Sequence, residues 1–207
     1  MNKSRVETIS DGVFAIVMTL LIFDVKIPDA LHVTTNTELW MALGMLWPLF
    51  VSYAFSFLVL SVFWINHHFL FHTFAKAVDR QLNLMNMVYL MFLAFVPFSA
   101  HLIGSYQTLQ PAIIVYGLNI LAIVLLSAGM IRYIRKNPEL RNDSLSSRTK
   151  TQARIRTSLS IGSYVLGLLA SFFYIPLSIA LFLFPLLFNV IPGTLDLAER
   201  LFRFEIV

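Results

Sequence analysis

Long apolar runs without charge constrain this chain more than anything else in it. Leu39 to Phe63, Leu82 to Ile103 and Pro111 to Ile131 contain no Asp, Glu, Lys or Arg, and Leu159 to Phe188 is nearly continuous apolar sequence. Crossing the hydrocarbon core of a bilayer, about 30 Å thick, takes about 20 helical residues. Backbone polar groups at that depth have no water to bond, so such runs must fold as helices. The first run, Val6 to Phe23, is as long but begins among Arg5, Ser10 and Asp11. With 58% hydrophobic and 13% charged residues, the composition is that of a polytopic membrane protein and excludes an ordinary soluble domain. The expected fold is all-α, one unit over 1–207 with six transmembrane helices, about 6–24, 39–63, 82–103, 111–131, 157–174 and 177–191.

Prolines punctuate these runs. Pro28 ends the first, Pro48 is expected to bend the second near its start and Pro97 to kink the third. Pro111 starts the fourth at a position where its missing N–H costs nothing. Pro176 splits the last apolar stretch into a hairpin of two short spans, and Pro185 complicates the second of them. Trp40, Trp47 and Trp64 sit at the ends of the second run, as interfacial aromatics do. The tail, Pro192 to Val207, is amphipathic and suited to a membrane surface.

Charge then sets orientation. If the N-terminus, the second-to-third and fourth-to-fifth connections and the tail share one side, that side holds fourteen of the fifteen lysines and arginines. The other side holds only Lys26. By the positive-inside rule both termini face the cytoplasm, and an odd number of spans would spoil the asymmetry. A net charge of +4 therefore reports topology and implies no nucleic-acid partner. The first run is too long, and carries acids, for a cleavable signal. Absence of Cys excludes disulfides, thiolate metal sites and Cys nucleophiles.

Polar groups inside a span are costly, so those of the first run mark either a functional path or a hydrogen-bonded network between helices. At about 100° per residue, Gly12, Ile16, Thr19, Leu20 and Phe23 share one helix face, while Ser10 and Asp11 project toward neighbouring helices. Stripes of Ile, Leu and Phe at this spacing are also ordinary packing. Asn83 and Asn86, at i and i+3 in the third run, offer side-chain bonds to another helix.

The sequence Arg5, Ile9-Ser10-Asp11-Gly12-Val13-Phe14-Ala15-Ile16, Thr19-Leu20-Leu21 resembles the first-helix signature of the transmembrane protein 175 family of potassium-permeable channels. The family has Phe where this chain has Ile9, a change that keeps bulk and apolarity. Phe63-Trp64-Ile65-Asn66-His67-His68, Asn86 and Leu90 to Phe98 extend the resemblance, which covers the first hundred residues well and the rest by helix pattern. It implies a single-repeat prokaryotic-type subunit in an inner or plasma membrane, assembling with identical copies, as a homotetramer by analogy with prokaryotic members. It also implies a pore lined by helix one, with its constriction at Ile16, an apolar path through Leu20 and Phe23, and a selectivity layer at Thr19.

Physics is compatible with that assignment. Apolar rings gate by dewetting, and a hydroxyl beside such a ring can replace part of an ion's hydration shell. The carbonyl filter Thr-Val-Gly-Tyr-Gly is absent, so preference for potassium over sodium should be modest. Arg5, Ser10, Asp11, Trp64, His67, His68 and Asn86 are read as a structural interhelical network. No cofactor and no resident metal are implied beyond permeant potassium.

Other readings are a proton or nonselective monovalent leak, a non-conducting membrane scaffold, and a membrane enzyme built on His67-His68-x-x-x-His72. The last lacks the further His boxes that a di-iron site needs, since His32 and His101 fall on the opposite side of the membrane. Protonation of these histidines as a pH sensor is a further reading. The basic connection Arg132 to Arg156 is read as a solvated hairpin beside anionic headgroups.

Overall fold

A computed structural model describes residues 2–28 and 31–190, so the amphipathic tail lies outside the described residues. They form helices throughout, joined by short connections. The helices are α1 (Lys3–Leu20), α2 (Asn36–Met45), α3 (Trp47–Phe69), α4 (Arg80–Ala94), α5 (Val96–Ser105), α6 (Gln110–Lys136), α7 (Ser147–Ala170) and α8 (Ile175–Val190). A 3-10 turn, Leu21–Asp24, prolongs α1, and a π turn, Leu70–Phe74, prolongs α3.

Among the described residues, four continuous segments are long and apolar enough to cross a bilayer: Lys3–Asp24, Trp47–Phe74, Arg80–Ser105 and Gln110–Lys136. The second does not start at residue 39. Leu46 N–H bonds back to Leu43 in a tight turn, and Pro48, in the first turn of α3, has no N–H to continue the α2 ladder. α2 is thus a separate helix, closed at its start by a capping box between Thr35 and Glu38. Backbone N–H groups of Thr34 and Thr35 on the Glu38 carboxylate hold its pKa below the usual value.

α3 runs on past residue 63 through His67 and His68 and, via the π turn, past His72, which the sequence reading assigned to a connection. Pro97 does more than kink the third span. The helix breaks at Phe95, and α5 restarts with Pro97 in its first turn. α7 begins ten residues before the expected 157, where Ser146 accepts the Thr149 N–H at 3.1 Å, so much of the basic connection is helical. α6 correspondingly extends to Lys136, its last turn carrying Arg135 and Lys136 near the negative end of the helix dipole.

Small residues and back-bonded serines set the packing. Phe182 of α8 is buried between Gly117 of α6 and Gly167 of α7, where an added Cβ would stand 2.5 Å from its ring in each case. Pro185, inside α8, leaves the Leu181 carbonyl without its helical donor, and Ser163 Oγ donates to that oxygen at 2.6 Å. Ser52 Oγ donates to the Ala100 carbonyl at 2.7 Å, tying α3 to α5. At the other end, Lys76 N–H bonds Leu140 O and Asn142 N–H bonds Phe74 O, stitching the α3–α4 and α6–α7 connections together. Lys3 Nζ donates to Ala75 O at 2.9 Å and brings the N-terminus to the same place.

Candidate functional site

α1 divides cleanly into two faces. Val6, Ser10, Phe14, Val17 and Leu21 are buried, recurring at the helical interval against α3, α4 and α5. The opposite face carries Ile9, Gly12, Ile16, Thr19, Leu20 and Phe23, all exposed within the single chain, with Ile16 at 60%, Leu20 at 43% and Phe23 at 70%. Nothing lies within 4 Å of a Cβ placed on Gly12.

A surface meant only for lipid gains little from Gly and Thr. A surface that meets another helix closely uses both. Thr19 Oγ1 donates to the carbonyls of Ile16 at 2.8 Å and Ala15 at 3.0 Å. The hydroxyl proton is therefore turned into its own helix, and the oxygen lone pairs are left for a donor or cation outside it. At the far end of this face, the Asp24 carboxylate lies 3.5 Å from His101 Nδ1.

The buried side of α1 holds a polar path. Ser10 Oγ donates to Val6 O at 2.9 Å, Asn86 Nδ2 donates to Ser10 Oγ at 3.0 Å, and Asn86 Oδ1 lies 2.8 Å from His67 Nε2. All three residues are buried. The amide oxygen can only accept, so the His67 proton sits on Nε2. The imidazole is boxed by Phe14 (centroids 5.6 Å apart), Tyr89 (5.3 Å) and Phe71 (4.7 Å). A second bond joins the same helices near the exposed edge, Trp64 Nε1 donating to Asp11 Oδ1 at 2.9 Å.

The structure thus gathers five of the seven residues read as a network into two groups, Ser10 with Asn86 and His67, and Asp11 with Trp64. His68 lies beside the second group, its ring 6.3 Å from that of Trp64 and stacked on His72 at 5.3 Å. Arg5 is exposed on the first turn and a half of α1. Among the described residues no three His, Cys, Asp or Glu side chains are grouped to hold a metal ion. Phe71 and Tyr89 were not singled out in the sequence, and Phe14 entered only as part of the first-helix signature. Their signal was spacing, since Phe71 is four residues from His67 and Tyr89 three from Asn86, each on the face of its polar partner.

Known proteins resemble this chain in sequence and in fold. The family described as endosomal/lysosomal potassium channel TMEM175 matches residues 5–97, which include all but the first two residues of α1 and the whole of the polar path. A potassium channel of Streptomyces collinus is 36% identical over 185 residues, 87% of this chain and 88% of that protein. The bovine endosomal/lysosomal proton channel TMEM175 is 37% identical over 116 residues, 54% of this chain but 24% of the longer relative. Among solved structures, the crystal structure of a lysosomal potassium-selective channel TMEM175 homologue from Chamaesiphon minutus superposes with a TM-score of 0.76 at 27% identity, covering 90% of this chain and 95% of that one. Four apolar spans, an exposed small-and-apolar face on α1 and relatives matched over nearly their full length lead to one assignment: this multi-pass membrane protein belongs to the TMEM175 family of channels.

Proposed function

We propose that the chain is one subunit of a potassium-permeable channel whose conduit is formed where identical copies of α1 meet around a common axis, most simply as a homotetramer. The observation that carries this reading is the bare Ile16, Leu20 and Phe23 stripe on a helix whose other side is fully packed. Ile16 to Phe23 spans about 10 Å of helix rise, room for stacked apolar rings that close by dewetting. Thr19, with its proton directed inward, offers oxygen lone pairs beside the Ile16 ring, a chemistry suited to a cation and not to an anion. Selectivity built from hydroxyls and ring diameter, without a carbonyl filter, is modest. Relatives named potassium channels in bacteria support potassium as the permeant ion.

Six spans with both termini in the cytoplasm complete this reading. The hydrogen bonds that join Lys3, the α3–α4 connection and the α6–α7 connection support their lying on one side. α7 and α8 supply the last two crossings as a hairpin with apolar ends. A proton path is the second reading, favoured by the vertebrate relatives named as proton channels. A dewetted apolar ring passes protons only when a chain of water threads it, whereas a dehydrated cation needs oxygen ligands.

Substituting Ile16→Asn in the purified full chain, followed by potassium and proton flux in liposomes, tests the proposal. A constriction there predicts raised basal flux with the oligomer retained. A flux equal to that of the native chain, in protein that assembles normally, overturns it. Proton flux that responds while potassium flux does not selects the second reading.

A further inference from the structure

Away from α1, the lower ends of α6 and α7 enclose a cleft of about 790 Å³. Six cations line it: Arg132, Arg135 and Lys136 from the end of α6, Arg141 from the connection, and Lys150 and Arg154 from the start of α7. The acid in the lining is Asp143, and it is already held by Arg141 Nε at 2.6 Å. Arg135 and Lys136 also complement the negative end of α6, which accounts for two charges and not for six.

The cleft is polarised along the helices. Ala128 lines it on α6 about one turn beyond Arg132, with Ile131 beside that arginine, and Ile161 lines it on α7 about two turns beyond Arg154. Arg154 to Ile161 is about 10 Å of rise. The cationic rim is held in place, because Asn142 donates from its backbone to Phe74 O at 3.0 Å and from Nδ2 to Thr73 O at 3.0 Å, on the end of α3's π turn.

A soluble anion would use the rim and leave the apolar wall idle. A partner protein would need an acidic segment with an apolar end aligned along the helices, a pattern that a phospholipid already has. An anionic phospholipid uses both ends, phosphates among the arginines and an acyl chain along Ile161, in the orientation that a membrane already imposes. We propose that this cleft is a binding site for a phospholipid whose headgroup carries two phosphate charges, held at the cytoplasmic end of α6 and α7 and distinct from the conduit.

Native mass spectrometry of the full chain, released from mild detergent with cardiolipin, phosphatidylglycerol or phosphatidylcholine, tests it. The expected result is cardiolipin retained about tenfold or more above phosphatidylcholine, with phosphatidylglycerol between them. Arg135→Gln combined with Arg154→Gln should abolish most of that preference, while Arg80→Gln, a cation on the same side outside the cleft, should leave it intact. Ile161→Gln should weaken cardiolipin retention without adding affinity for pyrophosphate. Equal retention in the double variant overturns the proposal, as does an equal loss in Arg80→Gln. Pyrophosphate displacing cardiolipin at equal concentration would make the site one for soluble anions and would also overturn it. Should the double variant lose helicity, the native chain decides: a cardiolipin preference that does not fall as salt rises from about 0.05 to 0.5 M is incompatible with a charge-selected headgroup.

Discussion

Asn86 is the residue whose chemistry cannot be replaced by shape. Its amide donates to Ser10 on α1 and accepts from His67 on α3, two demands that only a side chain with both functions meets. Asn86→Leu keeps the volume and removes both bonds, leaving a buried imidazole N–H with no acceptor. The expected cost is about 1–3 kcal/mol, read as a lowered midpoint of thermal unfolding in detergent. His67→Phe in the same background should then cost little more, because the donor it removes is already unpaired. A midpoint unchanged in Asn86→Leu would mean that the path carries no stability. Thr19 makes the contrasting case, since its hydroxyl touches only its own helix and nothing in the subunit depends on it. Thr19→Val should weaken the preference for potassium over sodium in reversal-potential measurements with assembly retained. Unchanged permeability ratios would remove Thr19 from the conduction path. Such residues are legible in a sequence because a polar group inside a span is expensive and therefore conspicuous. Phe14 and Tyr89, which box His67, are not, because an aromatic in an apolar run is indistinguishable from any other core residue.

Between elements, one device recurs. Ser10 turns its proton back to Val6 O and accepts from Asn86, and Ser99 turns its proton back to Val96 O and accepts from Asn119 Nδ2 at 3.1 Å. In each pair a back-bonded serine supplies a lone pair to an asparagine of the neighbouring helix, joining α1 to α4 and α5 to α6, although Asn119 Oδ1 is left without a partner. The α6–α7–α8 contact relies instead on absence of side chain. Phe182 enters where Gly117 and Gly167 leave room, and a methyl group at Gly167 would collide with ring carbons that have no free end to swing aside. Gly167→Ala should lower stability by about 1–3 kcal/mol in a detergent unfolding assay, and Phe182→Leu should recover part of the loss. If the two changes add independently, the ring is not what fills the gap. The sequence located the breaks in these helices through proline and missed their register. Pro48 and Pro97 do mark interruptions, but the chain breaks at Leu46 and Phe95, two residues earlier in each case, because a proline is acceptable in the first turn of a helix and its missing N–H interrupts the helix before it. The early start of α7 was hidden for another reason. Basic residues read as a solvated connection, yet Arg and Lys are good helix formers and Ser146 provides the cap.

At the scale of the whole molecule, the distribution of charge predicts which ends of these helices share a compartment, and the absence of cysteine makes that prediction easy to examine. Any single cysteine introduced into this chain is the only thiol it has. Asn2→Cys and Ser144→Cys lie at exposed positions on the side to which the charge count assigns fourteen of the fifteen lysines and arginines. In intact cells both should resist a membrane-impermeant maleimide and react once the membrane is opened. Asn36→Cys, at the exposed start of α2, and Thr108→Cys, in the exposed connection between α5 and α6, should react from outside without permeabilisation. The hairpin of α7 and α8 is the discriminating part, because α7 opens with a strongly basic half and α8 is shorter than the four long spans. Phe173, 89% exposed at the turn between them, reports on it directly. If both helices cross, Phe173→Cys reacts from outside together with Thr108→Cys. If the hairpin only dips into the inner leaflet, Phe173→Cys is protected like Ser144→Cys, and the protein has four crossings. The positive-inside rule alone does not separate these outcomes, since an even number of crossings preserves the asymmetry in either case. Helix length does not decide it either: the 24 residues of α7 rise about 36 Å, but with Arg148 to Arg156 left in the headgroups only 157–170 remain to cross, about 21 Å and short of the hydrocarbon core, so the labelling of Phe173→Cys is the measurement that separates six crossings from four.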